Sequence, residues 1–137
     1  MKILRSDHLY SELTYKIIGA SIEVHNTLGP VHKEHVYHKA LEKEFTQIHL
    51  PFVSEKTLSV SYKGESVGTY RPDFIVDDKV IVEIKAVEFL PKSYETQLTY
   101  YLKGSGYKIG LLLNFGTIKL QVIRRIYEKE YQSKIKR

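Results

Sequence analysis

The sequence predicts an α/β (α+β) fold, a central mixed sheet flanked by helices, and three observations predict it. Two stretches in the first third carry apolar residues at helical spacing. The middle third holds short apolar or alternating runs separated by turn residues. A strand, helix, strand passage then runs from Val80 to Leu113, which supplies a parallel pair through a right-handed crossover. The expected order is helix, helix, three strands, helix, two strands, with no internal repeat or low-complexity block.

Met1 to Ser11 reads as a polar lead-in. From Glu12, residues Leu13, Ile17, Ala20 and Val24 recur at helical spacing and Ile18 and Ile22 widen the stripe, so a helix is expected to Leu28, where Gly29 and Pro30 stop it. Gly19 sits inside it at a cost of about 1 kcal/mol relative to Ala, and a close crossing of the next element is the expected reason. A second helix is expected from His32 to Gln47 on the apolar face of Val36, Tyr37, Ala40, Leu41 and Phe45, ended by Pro51. Glu34 lies in its first turn, where a negative charge suits the helix dipole.

Between Phe52 and Lys63 the pattern turns to strand, most plainly in Leu58, Val60 and Tyr62. Gly64 and Glu65 make a turn, and Val67 to Val76 resumes extended chain with Gly68 as a bulge candidate. Pro72 has no backbone donor, so it marks an edge, a bulge or the start of a new segment. With Val80 to Ala86 this predicts a meander of three antiparallel strands. Pro91 suits a helix start, and Lys92 to Leu102 is expected to be helical before Gly104 and Gly106. Lys108 to Leu113 and Ile118 to Ile126 read as the last two strands, and Glu128 to Arg137 as a charged tail.

At 137 residues and 42% hydrophobic composition the chain suits one domain, placed at 12–127, with a real core rather than disorder. There is no cysteine, which excludes disulfides, thiolate zinc sites and cysteine nucleophiles together and makes an intracellular, cytoplasmic location the default expectation. No stretch is long and apolar enough to span a bilayer, and the charged opening does not resemble a signal peptide, so no membrane partner is expected. The formal net charge of +5 is compatible with nucleic acid without requiring it.

The stretch YRPDFIVDDKVIVEIKA, from Tyr70 to Ala86, concentrates the chemistry. Asp77, Asp78 and Lys79 suit a hairpin turn between two antiparallel strands. Alternation puts Glu83 and Lys85 on one face of the second strand, and the hairpin returns Asp73 to the same region. Charged groups among Val and Ile are costly to desolvate unless paired or given a ligand. Two carboxylates offer oxygen donors to Mg²⁺ or Mn²⁺, with a lysine alongside to steer water or a phosphate. The alternative is a solvated sheet face on which Glu83 and Lys85 balance one another.

Other sequence signals are weaker. His25, His32, His35 and His38 invite a zinc proposal, but HExxH is absent, and solvated or core-edge histidines explain them better. No Walker loop, dinucleotide-binding glycine pattern or nucleophile elbow is present. Gln97 and Tyr101 project on one side of their helix. Eleven tyrosines among many lysines suit base stacking and phosphate contacts, or simply core filling. Lys16, Lys92, Lys103, Lys108, Arg124 and Arg125 are candidates to line a groove, if the fold brings them to one surface.

Pro72 and Asp73 followed by Glu83, Ile84 and Lys85 resemble the signature of the PD-(D/E)XK nuclease superfamily, and Gln97 with Tyr101 resembles the QxxxY element of its RecB and lambda exonuclease-like branch. From Leu13 to about Ile126 the chain is similar to the GxxExxY protein family. LTYKIIGASIEVHNTLGP and LLLNFG match at the two ends, and the naming motif falls on Val31 to Tyr37 with Glu34 and Tyr37 retained and its glycine replaced by Val31. The resemblance implies a restriction-endonuclease-like fold in which Asp73, Glu83 and the Ile84 carbonyl bind Mg²⁺, with Mn²⁺ as the alternative ion. It implies that Glu34 adds an acidic ligand, that Lys85 positions or activates water, and that Gln97 and Tyr101 support the site or contact nucleic acid.

The implied activity is metal-dependent hydrolysis of DNA phosphodiesters, with RNA left open. The alternative is a non-catalytic nucleic-acid or protein-binding module on the same fold, with a homodimer or a partner protein supplying targeting.

Overall fold

The computed structural model describes residues 9–128, so most of the expected lead-in and charged tail lies outside the described residues. Two helices, α1 (Ser11–Leu28) and α2 (Glu34–Gln47), precede five strands: β1 (Phe52–Ser54), β2 (Leu58–Tyr62), β3 (Glu65–Tyr70), β4 (Phe74–Val76) and β5 (Val80–Lys85). Helix α3 (Lys92–Ser105) and strands β6 (Ile109–Asn114) and β7 (Gln121–Ile126) complete the order. The main sheet runs β1-β4-β5-β6-β7, and β2 and β3 pair separately. Only β5 and β6 are parallel, joined through α3 as the sequence predicts. Among these residues no helix is long and apolar enough to cross a membrane.

Alternation on β5 divides the core. Val80, Val82 and Ile84 face Ile17, Val24, Tyr37, Leu41 and Phe45 of α1 and α2. Ile81 faces the other way, onto Leu98 and Leu102 of α3 with Tyr70 and Leu112. Glu83 and Lys85 share the Ile81 face, so they lie on the α3 side of the sheet.

Four expectations are corrected. The run from Val67 to Val76 is not one strand: it breaks between Tyr70 and Phe74, so β3 joins the separate β2–β3 hairpin while β4 pairs with β1 and β5. Pro72 starts a new segment because it cannot continue a ladder. The chain before it also divides, at Glu55 with its positive φ, into β1 and β2. The bulge is real but its unpaired residue is Val67, since Val60 pairs with Gly68 and Ser61 with Ser66. Gly19 marks no crossing, because nothing lies within 4 Å of where its Cβ would stand. The close approach belongs instead to Gly104, which is inside α3 and whose Cβ would lie 3.3 Å from Val60.

The β4–β5 turn forms as expected. Asp77 and Asp78 both have positive φ and the Val76 carbonyl accepts a hydrogen bond from Lys79 N at 3.0 Å, the primed turn that matches strand twist. The loop after β5 is held from the end of β6. Buried Asn114 accepts from Val87 N at 3.0 Å and donates to Val87 O at 2.9 Å. Gly116 passes so close that a Cβ would lie 2.3 Å from Val87 N. LLLNFG therefore reads as the clamp that fixes the chain leaving Lys85.

Two glycine substitutions should act in opposite directions. Gly116→Ala should lower unfolding stability by about 2 kcal/mol or more, since backbone must move. Gly19→Ala should raise it by about 0.5–1 kcal/mol through helix propensity. Denaturant midpoints of the two variants check both.

Candidate functional site

The site is built where β4 ends and β5 continues. The last pair of that ladder is Phe74 with Val82, and one step beyond it Asp73 turns in to accept a hydrogen bond from Ile84 N at 2.7 Å through Oδ2. N–H and C=O of one strand residue leave on the same side, so the Ile84 carbonyl also faces the β4 edge, beyond the last β4 pair. Glu83 stands next to it on the α3 face.

Glu83 Oε1 accepts a hydrogen bond from the Tyr70 hydroxyl at 2.8 Å. The Tyr70 ring stacks on Tyr101 with centroids 3.8 Å apart. Burial, then the charge of Asp73, pushes Glu83 up to about 7, while the Tyr70 hydroxyl and Lys85 pull it back down. Tyr70 is raised in turn, first by burial and then by Glu83. Lys85 extends on the same face, its ammonium 4.5 Å from the centre of the Tyr94 ring. Thus Tyr94 and Tyr101 of α3 reach the two charged residues of β5, one directly and one through Tyr70.

From the other side, α2 brings His38 against Asp73. Its Nδ1 lies 3.4 Å from Asp73 Oδ1, and its ring stacks on Phe74 at 4.3 Å. Glu34, His38 and Asp73 line one open groove of about 460 Å³ that also includes Glu42, Ser54 and Glu55. Glu34 is exposed at the start of α2. Among the described residues no three His, Asp or Glu side chains gather closely enough to hold an ion, so Glu34 shares a groove with Asp73 without joining it and Glu83 in one cage. Tyr37, one turn on, is buried and stacks on Phe115 at 4.6 Å, its hydroxyl donating to the Gly29 carbonyl. Gln97 is exposed, and its side chain makes no hydrogen bond among the described residues.

The fold therefore brings Asp73, Glu83, Ile84 and Lys85 together, puts Tyr101 behind Tyr70, and leaves Glu34 and Gln97 at the margins. Three contacting residues were not singled out from sequence: Tyr70, His38 and Tyr94. Tyr70 stands three residues before Asp73, but the break between β3 and β4 hides its direction from any alternation argument. By sequence His38 groups with the other histidines, as core-edge or solvated. In the fold these scatter, with buried His25 bound to the Thr117 carbonyl at 2.8 Å and His32 edge-on to Tyr37.

The donor set suits a hard divalent cation. Two carboxylates whose repulsion is already expressed in the raised Glu83, plus a main-chain carbonyl, are the oxygen donors that Mg²⁺ or Mn²⁺ takes, with water completing the shell.

A family model described as the PD-(D/E)XK nuclease superfamily matches residues 11–126. Among solved structures, that of SSO0001 is similar at TM-score 0.50 and 18% identity, covering 96% of this chain and 66% of that one. An alkaline exonuclease, LHK-Exo from Laribacter hongkongensis, aligns at TM-score 0.39 and 10% identity over 69% of this chain and 56% of its own. No curated protein matches the sequence. The five-stranded mixed sheet between helices is the restriction-endonuclease-like layout expected of that superfamily.

Raising Glu83 from the ordinary 4.5 to about 7 makes the folded state bind more protons than the unfolded one in that window, so stability falls as pH rises through it. Without divalent ion the wild type should lose about 3 kcal/mol relative to Glu83→Gln between pH 4 and pH 8. Urea unfolding of both proteins in chelator reads the difference. Tyr70→Phe should move the Glu83 titration higher still, followed by carboxyl NMR.

Proposed function

The chain belongs to the PD-(D/E)XK nuclease superfamily, and on that premise we propose that it is a Mg²⁺-dependent nuclease acting on DNA phosphodiester bonds. The observation that carries the reading is the Asp73 carboxylate fixed on Ile84 N–H beside a Glu83 raised to about 7, with Lys85 on the same face. Within the superfamily we assign it to the GxxExxY group on Glu34, Tyr37 and LLLNFG, and to the RecB and lambda exonuclease-like branch on Gln97 and Tyr101.

Asp73, Glu83 and the Ile84 carbonyl would hold Mg²⁺, or Mn²⁺ in its place, and Glu34 would approach from α2 as an outer acidic group. The ion would supply charge stabilisation for the phosphoryl oxygens and orient the attacking water.

The chain's own groups do the remainder. Asp73 gives one oxygen to the Ile84 amide, which fixes the carboxylate, and its Oδ1 faces His38 Nδ1, with both residues lining the groove. Tyr70 holds Glu83 by one oxygen, and the stack on Tyr101 holds Tyr70. This gives Tyr101 a supporting role and leaves Gln97, exposed on the same side of α3, to meet the nucleic-acid backbone. Lys85, steadied over Tyr94, places an ammonium beside Glu83 to position the water and to neutralise charge that develops on the phosphate.

Asp73→Ala and Lys85→Ala should each fold and lose metal-dependent cleavage by a factor of about 100 or more. The assay uses labelled linear and circular DNA with Mg²⁺, Mn²⁺ or chelator, with circular dichroism as the folding check. Cleavage at wild-type rates by both variants would mean that the reaction is not this protein's.

A further inference from the structure

The cations that the sequence leaves scattered sort to different places in the fold. Lys16 lines a cavity between α1 and α2, Lys108 pairs with Glu128 at 3.6 Å, and Arg124 donates to the Leu9 carbonyl at 2.7 Å. Lys92, Lys103 and Arg125 instead line one groove of about 360 Å³ between α3 and β7. Its helical wall is a single face of α3, since positions 92, 95, 96, 99, 100 and 103 follow one another at three- and four-residue returns.

The charge of this groove is unbalanced. Glu95 is its one acidic residue and is already engaged by Arg125 Nη2, so Lys92 and Lys103 carry the surplus. Neither has an ion-pair partner among the described residues. They stand eleven residues apart, about 16 Å along the helix axis. Between them Tyr100 is 65% exposed, and Tyr127 lines the groove with it. An exposed ring flanked by ammonium groups suits an anionic polymer with flat faces to offer. A duplex keeps its base faces stacked inside, whereas a single strand presents them.

We infer that the groove between α3 and β7 binds single-stranded nucleic acid, with phosphates on Lys92 and Lys103 and a base against Tyr100. The inference rests on the nuclease reading and specifies where the strand lies outside the acidic site. The first turn of α3 carries both Lys92 and Tyr94, the residue under Lys85, so a strand in the groove reaches the site across the start of that helix.

The test measures binding of fluorescein-labelled oligothymidylate and of a matched duplex to the full chain by anisotropy in chelator, across a salt series, so that no cleavage is involved. Lys92→Ala with Lys103→Ala should weaken single-strand binding about tenfold or more and reduce the slope of log K against log salt by about 1.4, two phosphate contacts' worth. Tyr100→Ala should weaken it between about 5- and 150-fold. Lys16→Ala with Lys108→Ala removes the same formal charge elsewhere and should leave binding nearly unchanged.

Equal loss in the two lysine pairs would reduce the effect to net charge and overturn the proposal. So would unchanged binding in the groove variants, or a preference for duplex. Wild type that binds neither DNA in chelator would overturn the groove proposal too, while metal-dependent cleavage lost in Asp73→Ala tests the nuclease reading separately.

Discussion

Everything at the site follows from two carboxylates held close together at the end of a buried strand pair. Asp73 is fixed because β4 cannot continue past Pro72, and the amide of Ile84, left beyond the ladder, takes the Asp73 carboxylate as its acceptor. Glu83 is fixed from the other side by Tyr70. Separating the two acids would break both hydrogen bonds, so the fold retains their repulsion, and burial intensifies it. On the proposed reading a divalent cation would be the counterweight, because it would favour the ionised Glu83 that burial disfavours.

The rest of the architecture keeps that geometry in place. Hairpin and crossover meet on β5: the primed turn at Asp77 and Asp78 sets the register of Asp73 against Glu83, while α3 leads to β6 and returns Tyr94 and Tyr101 over the β5 face. Asn114 and Gly116 then hold the segment after Lys85 against the end of β6. Tyr37 has a similar supporting place, buried on Phe115 and tied to the turn after α1.

The helices, the Asp77–Asp78 turn and the parallel β5–β6 pair were legible because each has a strong local signal: apolar residues at 3.6 spacing, consecutive turn residues, and a strand, helix, strand order. The division of the middle strands was not. Glu55 and Pro72 break runs that look continuous by composition, and whether a strand joins the main sheet or a separate hairpin depends on long-range pairing. At the site, the convergence of Asp73, Glu83 and Lys85 could be read from alternation plus one hairpin. Tyr70, His38 and Tyr94 could not, because each meets its partner across the break between β3 and β4 or from a helix. The scattered lysines show the same limit: only the packing of α3 beside β7 brings Lys92, Lys103 and Arg125 to one groove and leaves Lys16 and Lys108 elsewhere.

The most direct test of the central claim is calorimetric titration of Mn²⁺ into wild type and Glu83→Gln at pH 7, in two buffers of different ionisation enthalpy. With Glu83 near half-protonated in the ion-free protein, binding should release about half a proton per site, and Glu83→Gln should bind more weakly with that release gone. Binding to both proteins with equal affinity and no proton release would contradict the account, since the ion would then be held somewhere other than between Asp73 and Glu83.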